Sequence, residues 1–178
     1  MLRNDFNFII DLKRDFFAQR SIQQLLAAIE KNGTAGWEPW WRVEFARFLY
    51  RHQHKHEWAR EHLIKAGRTK GVLKDKLTAD FMIKPRNRAG NRPILIELKQ
   101  SDSVEGCIAN MAENIRSMEK TKSVSGSQRS FWVVGAHPRE CKNTVRKTVE
   151  SVATEYGIEI FDVQTRYILN TGYAFTVF

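Results

Sequence analysis

Apolar residues recur at helical spacing through the first 31 residues. Between Asp5 and Lys31, large apolar side chains stand three and four positions apart, as on one face of a helix, namely at Phe6, Ile9, Ile10, Phe16, Phe17, Ile22, Leu25, Leu26 and Ile29. Asn32-Gly33 then supplies a helix stop. The pattern predicts either one helix or two helices that break near Ser21, packed against a sheet or a partner subunit.

A second helix is predicted to begin at Glu38-Pro39, because proline is favourable in the first turn of a helix. Its apolar stripe consists of Trp41, Phe45, Phe48 and Leu49. Glu44 borders this stripe, at the i, i+3 spacing that allows an ion pair with Arg47.

Histidines mark the segment that follows, residues 51–62. His52 and His56 have the i, i+4 spacing of a helical metal pair, but no matching carboxylate or cysteine completes a zinc site. We therefore predict a helix here, with a face that is solvated or contacts phosphate.

The segment 76–100 reads as two strands joined by a turn-rich basic connector. Because side chains alternate across a strand, Glu97 and Lys99 share one face and Leu98 points to the other. Asp80, in the first strand, lies beside Glu97 if the two strands pair as a hairpin. Two neighbouring carboxylates repel each other unless a cation lies between them, and their hard oxygen atoms suit Mg²⁺. Lys99 would then stand beside a metal-bound water, which is the chemistry of phosphodiester hydrolysis.

Asp80, followed by Glu97-Leu98-Lys99, resembles the bipartite signature of the PD-(D/E)XK nuclease superfamily. The resemblance implies that Asp80 and Glu97 bind Mg²⁺, or Mn²⁺ in its place, that the Leu98 carbonyl adds a ligand, and that Lys99 assists the attacking water. It also implies a supporting glutamate on a preceding helix, a position that Glu44 matches. Ala79 replaces the proline of the signature, and the absence of a Gln-x-x-x-Tyr motif makes the exonuclease branch less favoured.

The remainder of the chain alternates predicted helices and strands. The expected elements are a helix over 104–118, a strand over 130–136, a helix from His137-Pro138 to Tyr156, and strands over 158–163 and 173–178, the last at a sheet edge or a subunit contact. This order predicts the α/β class. The resemblance implies a restriction-endonuclease-like core, a central mixed sheet flanked by helices, within one domain spanning 1–178 (an N-terminal helical segment over 1–36 and a core over 37–178).

The net charge and the cysteine content of the chain limit the classes of partner and of cellular compartment. A formal net charge of +9 suits a polyanion, most simply DNA, with RNA left open. Two cysteines give no zinc module or disulfide scaffold, and neither a signal peptide nor a membrane span is apparent, so we expect an intracellular, cytoplasmic protein. The candidate nucleic-acid contacts are Arg68, Lys70, Lys74, Arg86, Arg88, Arg92 and Gln100.

These features together predict a Mg²⁺-dependent DNA endonuclease that acts as a homodimer, because cutting both strands with one site per chain requires two copies or two events. Two alternatives stay open. One is a non-catalytic DNA-binding module that retains the nuclease fold. The other is an interaction subunit of a larger assembly, whose basic surface meets an acidic protein.

Overall fold

The computed structural model describes residues 1–52, 56–64, 77–85, 92–122 and 130–178. The helices in these ranges are α1 (Leu2–Phe17), α2 (Arg20–Lys31), α3 (Glu38–Arg51), α4 (Val104–Lys122) and α5 (Lys142–Tyr156). The strands are β1 (His56–Ile64), β2 (Leu77–Pro85), β3 (Ile94–Gln100), β4 (Ser130–Pro138), β5 (Gln164–Tyr167) and β6 (Tyr173–Val177). Within these residues, no helix combines the length and the apolar character needed to cross a membrane.

The six strands form one mixed sheet in the order β1-β2-β3-β4-β6-β5. Strands β3 and β4 are parallel, and every other neighbouring pair is antiparallel. Helix α4 makes the crossover between the two parallel strands, as a parallel connection requires. The prediction of an α/β chain with a mixed sheet flanked by helices is confirmed at this level.

Helices cover both faces of the sheet. On one face, α1, α2 and α3 pack their apolar residues against alternate residues of the strands, for example Phe45 of α3 against Phe81 of β2, whose ring centroids are 5.0 Å apart. On the other face, α4 and α5 pack against Val133 and its neighbours. Two helices, α1 and α2, account for the predicted N-terminal pattern, with Ala18 and Gln19 at the break.

The predicted hairpin is confirmed in its two arms, which pair antiparallel as β2 and β3. The helix predicted over 51–62 is wrong from His56 onward, because 56–64 forms β1 and pairs with β2 along its outer edge. Trp58 of β1 packs against the core at this edge. Backbone pairing and burial therefore outweigh the helical spacing of the histidines.

Three further predictions are corrected near the end of the chain. His137 continues β4 and does not start a helix, since α5 begins at Lys142 and ends before Gly157 in the left-handed conformation. Residues 158–163 form no strand, and after α5 the chain returns to the sheet at Gln164, the first residue of β5. Strand β6 matches the strand predicted over 173–178, but it lies between β4 and β5 and not at the sheet edge.

Candidate active site

At Asp80 and Glu97, hydrogen bonds from backbone to side chain replace the backbone pairing between β2 and β3. The ladder pairs Ile83 with Ile94 and Phe81 with Ile96, so Asp80 and Glu97 are the next residues to face each other. The Asp80 N–H donates to Glu97 Oε2 at 3.1 Å, and the Leu98 N–H donates to Asp80 Oδ2 at 2.8 Å. We call Asp80 and Glu97 the carboxylate pair; each side chain lies between the two strands and accepts a backbone hydrogen bond from the opposite strand. Asp80 is 9% exposed and Glu97 is 7% exposed.

The end of β3 presents a row of backbone groups on the side of the carboxylate pair. The Ser101 N–H donates to the Ala136 carbonyl of β4, and alternation along β3 turns the Leu98 and Gln100 N–H groups the other way. The Gln100 N–H accordingly donates to Glu38 Oε2 of α3 at 2.8 Å. Because the N–H and C=O of one strand residue point to the same side, the Leu98 carbonyl also faces the side on which Asp80 lies.

Two cations contact the carboxylate pair. Lys99 Nζ donates to Glu97 Oε1 at 2.9 Å. Arg42 of α3 forms an ion pair with Asp80, with Nε 3.1 Å from Oδ1, and its Nη2 donates to Glu38 Oε1 at 2.5 Å. Each of the four oxygens of the carboxylate pair therefore has a protein partner.

Asp80 is difficult to ionise in this setting. Burial and, second, the negative charge of Glu97 raise its pKa to about 6, although the Leu98 N–H, Arg42 and Lys99 lower it in part. The cations beside the pair thus compensate the two negative charges incompletely. A further cation with oxygen affinity would relieve the remaining repulsion.

Strand β1 is distorted directly beside Asp80. Arg60 pairs with Phe81 and His62 pairs with Ala79, which leaves Glu61 facing Asp80. Glu61 has a φ of 50°, a left-handed conformation that costs a non-glycine residue free energy. On β2, strict alternation also breaks here, because Ala79 clusters with Leu95 and Met118 while Phe81 packs against α3. The irregular backbone allows Asp80 to reach both Leu98 and Arg42.

A buried lysine lies close to the carboxylate pair. Lys13 of α1 is 0% exposed, and its Nζ lies 3.2 Å from the ring centroid of Phe45 and 5.2 Å from that of Trp41. Within the described part of the chain, this Nζ has no hydrogen-bond partner. Burial lowers the pKa of Lys13 well below its usual value, and the charge of Asp80 opposes that shift.

The sequence predictions fare differently at this site. The structure brings the four residues of the predicted signature together, namely Asp80, Glu97, Leu98 and Lys99. The hydrogen bonds and ion pair of Glu44, within the described residues, go to Arg47 at 3.1 Å. Helical spacing turns Glu44 about 160° around α3 from Arg42, so the supporting role predicted for Glu44 stays a prediction.

Among the candidate DNA contacts, the side chain of Gln100 donates to Asp102 at 2.9 Å, and Arg92 is exposed just before β3. The other five lie outside the described residues, namely Arg68, Lys70, Lys74, Arg86 and Arg88.

Sequence reasoning missed Glu38, Arg42 and Lys13. Glu38 and Arg42 have the i, i+4 spacing of a helical ion pair, which signals an ordered pair but gives no direction toward the sheet. Lys13 occupies a position in the apolar stripe of α1, three residues after Ile10 and three before Phe16. A charged residue inside a buried stripe was the available signal.

The donor set of the carboxylate pair suits a hard divalent cation. Two adjacent carboxylates and the Leu98 carbonyl offer oxygen ligands, and Mg²⁺ commonly takes one or two carboxylates with water in its other positions. The described residues contain no group of three or more His, Cys, Asp or Glu side chains placed to hold a metal. Within the described part of the chain, carboxylate coordination would come from this pair, with water and substrate oxygens completing it.

Comparison of the chain with protein-family models, with curated proteins and with solved structures finds no match.

Proposed function

We propose that this protein is a Mg²⁺-dependent DNA endonuclease with a restriction-endonuclease-like core. The observation that carries the proposal is the interleaving of Asp80 and Glu97 at the point where β2 and β3 stop pairing, with Lys99 on Glu97. Burial and the neighbouring Glu97 raise the pKa of Asp80 despite two nearby cations, and two adjacent carboxylates of this kind are suited to bind a metal.

The residues would divide the work by position. Asp80 and Glu97 would hold the cation, and the Leu98 carbonyl faces the same side. When bound, Mg²⁺ supplies Lewis-acid polarisation of a phosphoryl oxygen and lowers the pKa of a water molecule. The Lys99 ammonium, held by Glu97 at 2.9 Å, would orient the attacking water and neutralise negative charge that develops on the phosphate.

Helix α3 would position Asp80 from outside the strands. Glu38 accepts from the Gln100 N–H and from Arg42, and Arg42 contacts Asp80. This chain of contacts links the helix to the end of β3 and to the carboxylate pair. It gives α3 a positioning role through Glu38 and Arg42, beside the role proposed for Glu44.

DNA as substrate is supported by the net charge of +9, which favours a polyanion. A homodimer is the simplest arrangement for cutting both strands, and a place within a larger nuclease assembly is compatible with one site per chain.

A second candidate function is a DNA-binding module that does not cleave. The observation that favours it is the pairing of Arg42 with Asp80 and of Lys99 with Glu97, which occupies the carboxylate pair with the protein's own cations. In that case the pair would stabilise the end of the sheet, and added metal would have no effect on the protein.

The test is cleavage of labelled linear, nicked, single-stranded and four-way-junction DNA with Mg²⁺, Mn²⁺ or EDTA, together with single-stranded and duplex RNA. Glu97→Gln removes one carboxylate with little change in shape. Glu113→Gln, on the exposed side of α4, is the matched control. We expect cleavage that requires metal, is lost in Glu97→Gln and is retained in Glu113→Gln.

Isothermal titration of Mg²⁺ and Mn²⁺ into the protein separates the two candidates. Metal binding that is lost in Glu97→Gln supports the nuclease. Salt-sensitive DNA binding with neither cleavage nor metal binding would favour the non-cleaving module. Equal cleavage by wild type and Glu97→Gln would refute the proposed site.

A further inference from the structure

A cleft of about 320 Å³ opens beside the free edge of β5, away from the carboxylate pair. Its apolar floor includes Phe17 of α1 and Phe175 of β6, both buried. Its rim carries Arg166 and Tyr167 of β5 and Lys142 of α5. A cleft of this size with an apolar floor and a few polar groups is typical of small-ligand sites.

The strand register places this cleft level with Gln100, three residues beyond Glu97 at the end of β3. Gln100 of β3 is level with Ala136 of β4, which is level with Phe175 of β6. Phe175 is in turn level with Arg166 of β5. Arg166 thus lies three strands from Gln100, roughly 14 Å across the sheet at about 4.8 Å per strand.

The cations at this edge keep their charge available. The Gln164 amide oxygen, when turned toward Arg166, accepts from Nη2 at 2.8 Å, so a neutral group holds this guanidinium in place. Arg139 Cζ lies 4.0 Å from the ring centroid of Tyr167, and Lys142 Nζ lies 5.0 Å from it. The ring orders both cations without cancelling their charge.

The opposite rim is less positive. Arg14 of α1 also lines the cleft, but it pairs with Asp11 at 2.8 Å and Asp15 at 2.9 Å. Lys142 is also the first residue of α5, whose N-terminal end favours anions. The positive charge is therefore concentrated on the side formed by β5 and the start of α5.

We propose that this cleft is a nucleotide-binding subsite for the DNA strand that reaches the carboxylate pair. Arg166 and Lys142 bind a phosphate, and the apolar floor receives the sugar or base of the same nucleotide. At about 3.4 Å of rise per nucleotide in one B-form strand, the roughly 14 Å between Arg166 and Gln100 corresponds to about four nucleotide steps along the bound strand. The assignment rests on the proposed function for its substrate class.

The test measures DNA binding in EDTA by fluorescence anisotropy, with a fluorescein-labelled 20-nucleotide duplex and its single strand at several salt concentrations. The variants are Lys142→Ala, at an exposed position, and Arg166→Gln, which keeps a polar side chain. Lys147→Ala is the matched control, because Lys147 is exposed on the same helix but turned about 140° from Lys142. Far-ultraviolet circular dichroism checks that each variant is folded.

We expect Lys142→Ala and Arg166→Gln each to weaken duplex binding about 5- to 10-fold at low salt, and to reduce the slope of log K against log salt by about 0.9 for a lost phosphate contact. Lys147→Ala should stay within twofold of wild type. Wild-type affinity in folded Lys142→Ala and Arg166→Gln would overturn the subsite. An equal loss in Lys147→Ala would overturn it too, since binding would then follow total charge.

Failure of the subsite is distinguishable from failure of the nuclease. If the variants lose binding while the wild type cuts nothing with either metal, the subsite stands on a DNA-binding protein and the nuclease proposal falls. If the variants bind and cut as wild type does, the nuclease stands and the subsite is refuted.

Discussion

Replacing Lys13 with methionine tests the cost of the buried amine beside the candidate active site. The amine is fully buried on the ring of Phe45, and no hydrogen-bond partner lies within the described residues. Methionine has a similar length and no branch, so it fills the same space without a polar atom to desolvate. We expect Lys13→Met to be more stable than wild type.

The pH dependence of this effect follows from the lowered pKa of Lys13. The unfolded chain holds its lysine proton up to a pH of about 10.4, whereas the folded protein releases it at a lower pH. Between these two values the unfolded state binds more protons, so wild-type stability rises with pH by about 1.4 kcal/mol per unit. The size of the gain follows from the buried amine itself, because a buried polar group without a hydrogen bond costs about 1–3 kcal/mol.

The assay is urea unfolding of wild type and Lys13→Met at pH 7.5, 8.5 and 9.5, followed by circular dichroism. We expect the variant to gain about 1–3 kcal/mol near pH 8, and the gain to shrink toward pH 10. Lys31→Met, at an exposed position of α2, should change stability by less than about 0.5 kcal/mol at every pH.

The opposite result would refute the reasoning. A loss of about 3–5 kcal/mol in Lys13→Met would mean that the amine is charged and acts as a buried counter-ion of Asp80. A gain that does not vary with pH would mean that the amine titrates alike in the folded and unfolded protein.

Four further predictions concern the carboxylate pair and its neighbours. Asp80→Asn should abolish cleavage. It should also stabilise the metal-free protein by up to about 3 kcal/mol at pH 7, because a folded-state pKa of about 6 for Asp80 destabilises the folded protein increasingly from about pH 4 to pH 6. Urea unfolding at pH 4 and pH 7 measures this effect, and equal stability changes at both pH values would contradict it. Mg²⁺ affinity should fall as pH drops through 6, approaching tenfold per unit below it; calorimetry at pH 5 to 8 would expose a flat profile. Lys99→Ala should lower turnover by about 10²- to 10⁴-fold with a smaller change in Mg²⁺ affinity. Single-turnover cleavage measures the rate, and unchanged turnover would remove Lys99 from the mechanism. Glu38→Gln should reduce cleavage more than Glu44→Gln, since Glu38 bonds to the Gln100 N–H and to Arg42 whereas Glu44 pairs with Arg47; the reverse order would restore Glu44 as the supporting glutamate.

The carboxylate pair was predictable because its signals are local. Two strands with a short connector give a hairpin, and alternation aligns Glu97 with Lys99. One register then decides whether Asp80 meets Glu97. The sequence contains that information in the apolar residues on either side of each carboxylate.

The contacts from α1 and α3 were not predictable in the same way. Arg42 contacts Asp80, and Lys13 comes near enough to feel its charge, only after the helices pack on the sheet. The spacing of these residues along the chain gives no direction for that packing. Strand β1 was missed because its first residue, His56, has helical spacing from His52 at the end of α3. The edge of β2 that β1 covers exists only once the sheet has folded, so the sequence does not show it.

The position of β6 in the sheet sets the order in which β5 and β6 can unfold locally. Among the described strands, β5 pairs with β6 alone, and β6 follows it in the chain and lies between it and β4. Any fluctuation that releases β6 must also release β5, whereas β5 can detach alone. Native-state hydrogen exchange should therefore show β5 amides exchanging no more slowly than those of β6. Arg166 of β5 and Phe175 of β6 would then open together with this unit, so local unfolding would be thermodynamically linked to binding of any ligand in the cleft.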